Sequence, residues 1–218
     1  MIQAHKIKIQ KTAHYYTLGK PGKHIKNFWI VCHGYGQLAS HLIKKFTEID
    51  DGSTLVLAPE GFSRFYWNGV SGTVAASWMT KQDRFDEIDD YTRYLRQLYD
   101  TFKSQLPDDV SITLLGFSQG CATQCRWIMR EFPEYNHLIL WAGLLPEDLV
   151  YIPFQDYYNK RKTIFVYGIN DPYVTSERLS WQSDFAKEQG IRIEVQTFEG
   201  KHEIDRKALK SLAASLKS

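Results

Sequence analysis

Ser118 stands in the middle of Gly116-Phe117-Ser118-Gln119-Gly120, a G-x-S-x-G pattern. An apolar run, Ile112-Thr113-Leu114-Leu115, precedes it, and a stretch rich in Ala, Gln and Cys follows at helical spacing. A side chain on a sharp strand-to-helix turn is held in a strained backbone conformation and pushed out at the carboxyl edge of a sheet. The residues two before and two after it come so close to neighbouring backbone that a Cβ would clash, which is the steric reason for two glycines. The hydroxyl then sits at the positive end of a helix. The plainer reading is a tight turn whose serine caps that helix; the strand before and the helix after favour a nucleophile.

A serine hydroxyl is a weak nucleophile at neutral pH and needs a base beside it. Histidine has a suitable pKa, and a carboxylate behind it fixes the tautomer and stabilises the imidazolium. Of the seven histidines, His5, His14 and His24 lie in the N-terminal edge region, His41 in a predicted helix and His137 at the start of a predicted strand. Only His33 and His202 fall in loops just after strands. His33 belongs to a glycine pair whose simpler role is backbone geometry. His202 follows the last predicted strand and Asp171 the one before it. The order Ser118, Asp171, His202 is that of sheet-borne serine nucleophiles with their base and acid. Asn170-Asp171-Pro172 is also a common turn signal, and Asp148, in the loop 144–150, is the reserve acid. A developing oxyanion needs donors as well. The backbone N–H of Gln119 is one, and the N–H of Tyr35, turned inward by the glycines of His33-Gly34-Tyr35-Gly36, is the other. A phosphate-binding turn is the alternative for that glycine pair. The sequence has no G-x-G-x-x-G there and no Lys-Ser/Thr pair after it, which argues against a nucleotide site.

The elements that must position these residues are legible from hydrophobic spacing. Residues 7–16 alternate weakly and predict one or two edge strands. Residues 27–32 form a continuous apolar run, as in a strand buried on both faces. A helix is predicted over 38–49 and a buried strand over 53–58, ended by Pro59. Residues 60–81 hold Phe62, Phe65, Tyr66, Trp67 and Trp78 with no clear period, an irregular stretch of a length that is often functional. A long amphipathic helix begins near Asp83, with Ile88, Tyr91, Leu95, Leu98, Phe102 and Leu106 on one face. The strand and helix around Ser118 come next, then strands over 137–141 and 163–167, separated by a loop-rich stretch over 143–160. A helix over 176–189 is capped by Ser176 and closed by Gly190, a strand covers 191–198, and a closing helix covers 203–216. Alternating strands and helices predict an α/β fold, a mostly parallel central sheet with helices on both faces. Ligands of such folds bind beyond the carboxyl ends of the strands, where the candidate residues fall.

Whole-chain properties narrow the choices. The 218 residues, 43% of them apolar, suit one domain over 1–218 with a sizeable core. The net charge of +2 is dispersed, which argues against nucleic acid as a partner. No segment approaches the roughly 20 apolar residues needed to span a bilayer, and residues 1–11 lack the apolar core of a signal peptide. The three cysteines argue against a disulfide framework. Cys121 and Cys125, one helical turn apart, read as buried thiols rather than metal ligands, since no third ligand lies nearby. A cytoplasmic location is the default expectation, and the oligomeric state is open, a homodimer included.

His33-Gly34-Tyr35-Gly36-Gln37, the aromatic segment ending Ala76-Ser77-Trp78-Met79, the helix carrying Glu87-Ile88-Asp89-Asp90, Gly116–Gly120, Asn170-Asp171-Pro172 and the histidine near the C-terminus together resemble the phospholipase/carboxylesterase family of α/β-hydrolases, which includes the acyl-protein thioesterases. The resemblance runs from about residue 27 to the end. It implies the α/β-hydrolase fold, a triad of Ser118, Asp171 and His202, and oxyanion donors on Tyr35 and Gln119. The chain departs from the family at Gln37, where Asp is more usual, and at Cys121, where Gly is. Residues 62–78 are also richer in Tyr and Trp than the thioesterases. The aromatic stretches over 62–78 and 144–158 would wall a cleft beside Ser118, with Trp67, Trp78 and Leu144 against an apolar acyl or aryl group; the plainer reading packs these rings over the sheet. The expected reaction is acyl transfer to Ser118 and hydrolysis of the acyl-enzyme, on a small-molecule ester or thioester of small to medium acyl length, with no metal or organic cofactor. An acyltransferase using the same three residues, a binding module with an idle site and, more remotely, a perhydrolase are the alternatives.

Overall fold

The computed structural model describes residues 1–217. Its main sheet has seven strands in the order β1-β3-β2-β6-β7-β8-β9. These are β1 (Tyr15–Leu18), β2 (Asn27–Cys32), β3 (Thr54–Pro59), β6 (Ser111–Phe117), β7 (His137–Trp141), β8 (Lys162–Gly168) and β9 (Glu194–Phe198). Only β1 runs antiparallel, against β3; the other neighbours pair in parallel. The helices are α1 (Ala39–Leu42), α2 (Arg84–Lys103), α3 (Gln119–Glu131), α4 (Gln155–Asn159), α5 (Ser176–Glu188) and α6 (Arg206–Ser215). None is long and apolar enough to cross a membrane.

The apolar run of β2 serves both sides of the sheet. Phe28, Ile30 and Cys32 face one core layer, while Trp29 and Val31 face the other, as alternate side chains of a strand must. The first layer is closed by α2 and α3, through Ile88, Tyr91, Leu95, Leu98 and Phe102 and through Cys121, Cys125 and Ile128. The second is closed by α1, the 3-10 turns over Ile43–Ile49 and α6, through Leu42, Phe46, Leu209 and Leu212. Each such fully buried side chain contributes roughly 1.5–3 kcal/mol through removal from water. The parallel sheet with helices on both faces agrees with the alternation read from the sequence.

Four local expectations need correction. Residues before β1 form no strand, and Ile7 and Ile9 are exposed. Strand β3 ends at Pro59, opposite Tyr15, so the chain ahead of His14 has no edge to pair with. The helix expected over 38–49 is α-helical only to Leu42 and then tightens into 3-10 turns. Residues 60–81 are not irregular throughout: β4 (Ser63–Tyr66) and β5 (Val74–Ser77) form an antiparallel ribbon, its tip turning through Gly69 and Gly72 at φ of +88° and +98°. Finally, Thr175 rather than Ser176 caps α5, its hydroxyl accepting from the N–H of Arg178.

Candidate active site

Strand β6 pairs in parallel with β2 and β7, which fixes the end of β6 in the middle of the sheet. There the chain reverses into α3 within one residue. A Cβ on Gly116 would lie 2.3 Å from the Cys121 nitrogen, and one on Gly120 would lie 2.1 Å from the Cys32 carbonyl oxygen. No side chain fits at either position. Between them Ser118 adopts φ +52° and ψ −114°, a conformation that costs on the order of 1–3 kcal/mol for a residue with a Cβ. Its N–H donates to Trp141 O at 2.9 Å, and its carbonyl accepts from Cys121 N–H at 3.0 Å. The Ser118 hydroxyl makes no capping hydrogen bond to α3, so the plainer capping role is not what the fold gives it.

Two loops further across the sheet, Asp171 and His202 meet. His202 Nδ1 and Asp171 Oδ2 are 2.7 Å apart. A carboxylate has no proton to give, so the ring nitrogen donates and Nε2 is left free to accept. The Asp171 side chain has no solvent exposure and that of His202 keeps 21%. The second Asp171 oxygen accepts from Tyr173 N–H at 2.8 Å. The His202 ring is held between Phe117 and Tyr173, with centroids 4.9 and 4.7 Å away. Ser118 and His202 line one cleft of about 910 Å³. Asp148, the reserve acid, turns elsewhere: its Oδ1 accepts from Arg126 Nη2 at 2.8 Å and its Oδ2 lies 3.5 Å from Arg84 Nη2. Burial works against the Asp148 charge, but Arg126 and Arg84 outweigh it and hold the carboxyl below its ordinary range.

The loop after β2 lies against the nucleophile. A Cβ on Gly34 would come within 3.2 Å of Ser118 Cβ. The N–H of Gly34 donates to Gln37 Oε1, that of Gly36 to Ala76 O and that of Gln37 to Gly34 O. Among the described residues the N–H groups of Tyr35 and Gln119 have no acceptor. Gln37, the departure from the resembled family, thus serves the turn itself. Cys121, the other departure, fits because its thiol donates to Gly116 O at 3.0 Å, and burial pushes that thiol well above its ordinary pKa. Cys32, Cys121 and Cys125 are all buried and unpaired to one another. Among the described residues no group of three or more His, Cys, Asp or Glu could hold a metal ion.

Of the three residues expected against substrate, Trp67 and Leu144 line the cleft. Trp67 is half-exposed and clusters with Tyr35 and Phe65, at 5.8 and 6.1 Å. Trp78 is in the core instead, 1% exposed, stacked on His33 at 5.0 Å and edge-on to Tyr91 at 5.9 Å. Two residues already noted in the sequence carry side-chain contacts that it did not reveal. His33 is fully buried, its Nε2 accepting from Gly61 N–H at 3.0 Å and its Nδ1 meeting Gly34 O at 2.8 Å. Burial lowers its pKa to about 4. The Gln119 side chain accepts from Trp78 N–H at 3.1 Å and donates to Met79 O at 2.9 Å, tying the helix that follows Ser118 to the chain leaving β5. An amide between the serine and its second glycine was the available signal.

The model of the serine hydrolase family FSH1 matches residues 30–212. Among solved structures, acyl-protein thioesterase 2 of Zea mays superposes with a TM-score of 0.73 at 15% identity, covering 94% of this chain and 98% of that one. A carboxylesterase from Mesorhizobium loti gives 0.70 at 16% identity, covering 93% and 94%. A phospholipase/carboxylesterase from Dyadobacter fermentans gives 0.66 at 18%, covering 97% and 99%. At these identities the likeness is one of fold. Among curated sequences none matches.

Proposed function

The chain belongs to the FSH1 serine hydrolase family, and from that premise we propose that it is a carboxylesterase or thioesterase acting on small to medium acyl groups through Ser118, His202 and Asp171. The observation that carries this reading is the 2.7 Å contact between Asp171 and His202 on the wall of the cleft that also exposes Ser118. In the proposed cycle His202 Nε2 takes the Ser118 proton as the oxygen attacks the carbonyl carbon. The carbonyl electron pair moves onto oxygen, where the N–H groups of Tyr35 and Gln119 stabilise the negative charge. Collapse expels the alcohol or thiol, protonated by His202, and leaves Ser118 acylated. Water, deprotonated by the same imidazole, then releases the acid. Asp171 keeps the imidazole in the tautomer this requires and stabilises its cation.

The cycle uses side chains, two amides and water, within residues 1–218 taken as one hydrolase domain. Tyr35 and Gln119 are suited to the oxyanion role because no internal acceptor competes for their N–H groups among the described residues. Replacing Ser118 by Ala should lower hydrolysis of a short p-nitrophenyl ester by about 10⁴-fold or more while leaving the circular dichroism spectrum intact. An S118A protein as active as the parent would exclude the mechanism.

A further inference from the structure

Ala122 and Arg126 are spaced by four residues, so they share one side of α3, and both line the cleft together with Ser118, the residue just before that helix. At about 1.5 Å per residue, Arg126 stands roughly 12 Å along the axis from Ser118, its side chain leaning back toward the nucleophile. That side chain is 7% exposed. Its Nη2 donates to Asp148, which also receives Arg84 from α2, so two guanidinium groups share one carboxylate. The Nε of Arg126 has no partner among the described residues. Arg178 and Glu147 line the same cleft at exposed positions. Three cations against two carboxylates leave this region with a surplus positive charge.

The direction of the substrate follows from the chemistry. His202 must protonate the leaving group, so that group lies on the imidazole side. The imidazole packs on Phe117, part of the core layer closed by α6, whereas α3 lies on the opposite face. The acyl group is therefore left to run along α3, over Ala122 toward Arg126. A purely alkyl end arriving there would strip water from a charged pair and return nothing. A carboxylate would gain charge-assisted hydrogen bonds from the shared guanidinium groups.

We propose that Arg126 and Arg84, held by Asp148, form a carboxylate-recognition subsite, so that the preferred substrates are esters whose acyl group ends in a second carboxylate. The distance along α3 suits a chain of roughly six to eight carbons once the arginine's own length is allowed for. This inference rests on the reading of Ser118 as nucleophile. It is tested by kcat/KM for p-nitrophenyl monoesters of six- to eight-carbon α,ω-diacids against p-nitrophenyl alkanoates of equal length. The expected ratio is about tenfold or more in favour of the anionic ester, carried by KM and reduced by added salt. Arg84→Gln, at a partly exposed position, and Arg126→Gln should bring the ratio toward one. Asp148→Asn, which releases the guanidinium groups, should raise it, an effect a merely structural role would not produce. A ratio near one in the parent, a ratio unmoved by Arg84→Gln or one that falls in Asp148→Asn overturns the subsite while ester hydrolysis stands. Absence of all Ser118-dependent hydrolysis overturns the underlying reading instead.

Discussion

His33 shows what one buried side chain does to the loops around it. Its ring accepts from Gly61 and is stacked under Trp78, a neutral imidazole joining the turn after β2 to the chain after β3. With the folded pKa lowered to about 4 from 6.5, the unfolded chain binds the extra proton between those values. Stability from this group is complete above about pH 6.5 and is lost as pH falls toward 4, by at most roughly 3 kcal/mol. Denaturant melts of the parent and of His33→Gln should therefore converge as pH falls through that window; parallel curves would refute the assignment. That Ser118 and His202 come to one cleft and that Asp171 meets His202 was legible, because a candidate nucleophile, base and acid are sought as particular residue types after particular strands. Trp67 and Trp78 were not separable, since an indole suits a cleft wall and a core equally and only the fold decides. The partners of His33 and Gln119 were hidden for another reason: they lie 28 and about 40 positions away in the chain.

At the scale of elements, the turn at Ser118 is the most constrained piece. Gly120→Ala would drive a methyl group into the Cys32 carbonyl at 2.1 Å, and a cost above about 4 kcal/mol, or failure to fold, is expected in a urea titration. Gln119→Ala removes three hydrogen bonds to Ser77, Trp78 and Met79. It should destabilise the protein by about 1–3 kcal/mol and increase hydrogen exchange in β4 and β5; unchanged exchange there would deny the clamp. The amphipathic period of α2 and the apolar runs of β2 and β7 were plain in the sequence, because each presents a long regular face. The β4–β5 ribbon was not. Its strands have four residues each, Ser-Arg-Phe-Tyr and Val-Ala-Ala-Ser, so neither carries a run of alternating apolar and polar residues long enough to read.

For the molecule as a whole, alternation of strand and helix fixed the layer architecture, because a parallel sheet needs crossover helices to cover both faces. What it could not fix was the N-terminal edge, where pairing depends on where β3 ends. Residues 1–10 are exposed and without regular structure, so their deletion should shift Tm by less than about 2 °C, read by calorimetry; a larger drop would assign them a structural role. In the proposed mechanism Ser118 is made nucleophilic by the His202–Asp171 pair across one cleft. The most direct test is the rate of covalent labelling by a fluorophosphonate, followed by intact mass and peptide mapping. One label per chain on Ser118, none in Ser118→Ala and a rate lowered about a thousandfold in His202→Ala is the predicted result; labelling of Ser118 at an undiminished rate without that imidazole would contradict it.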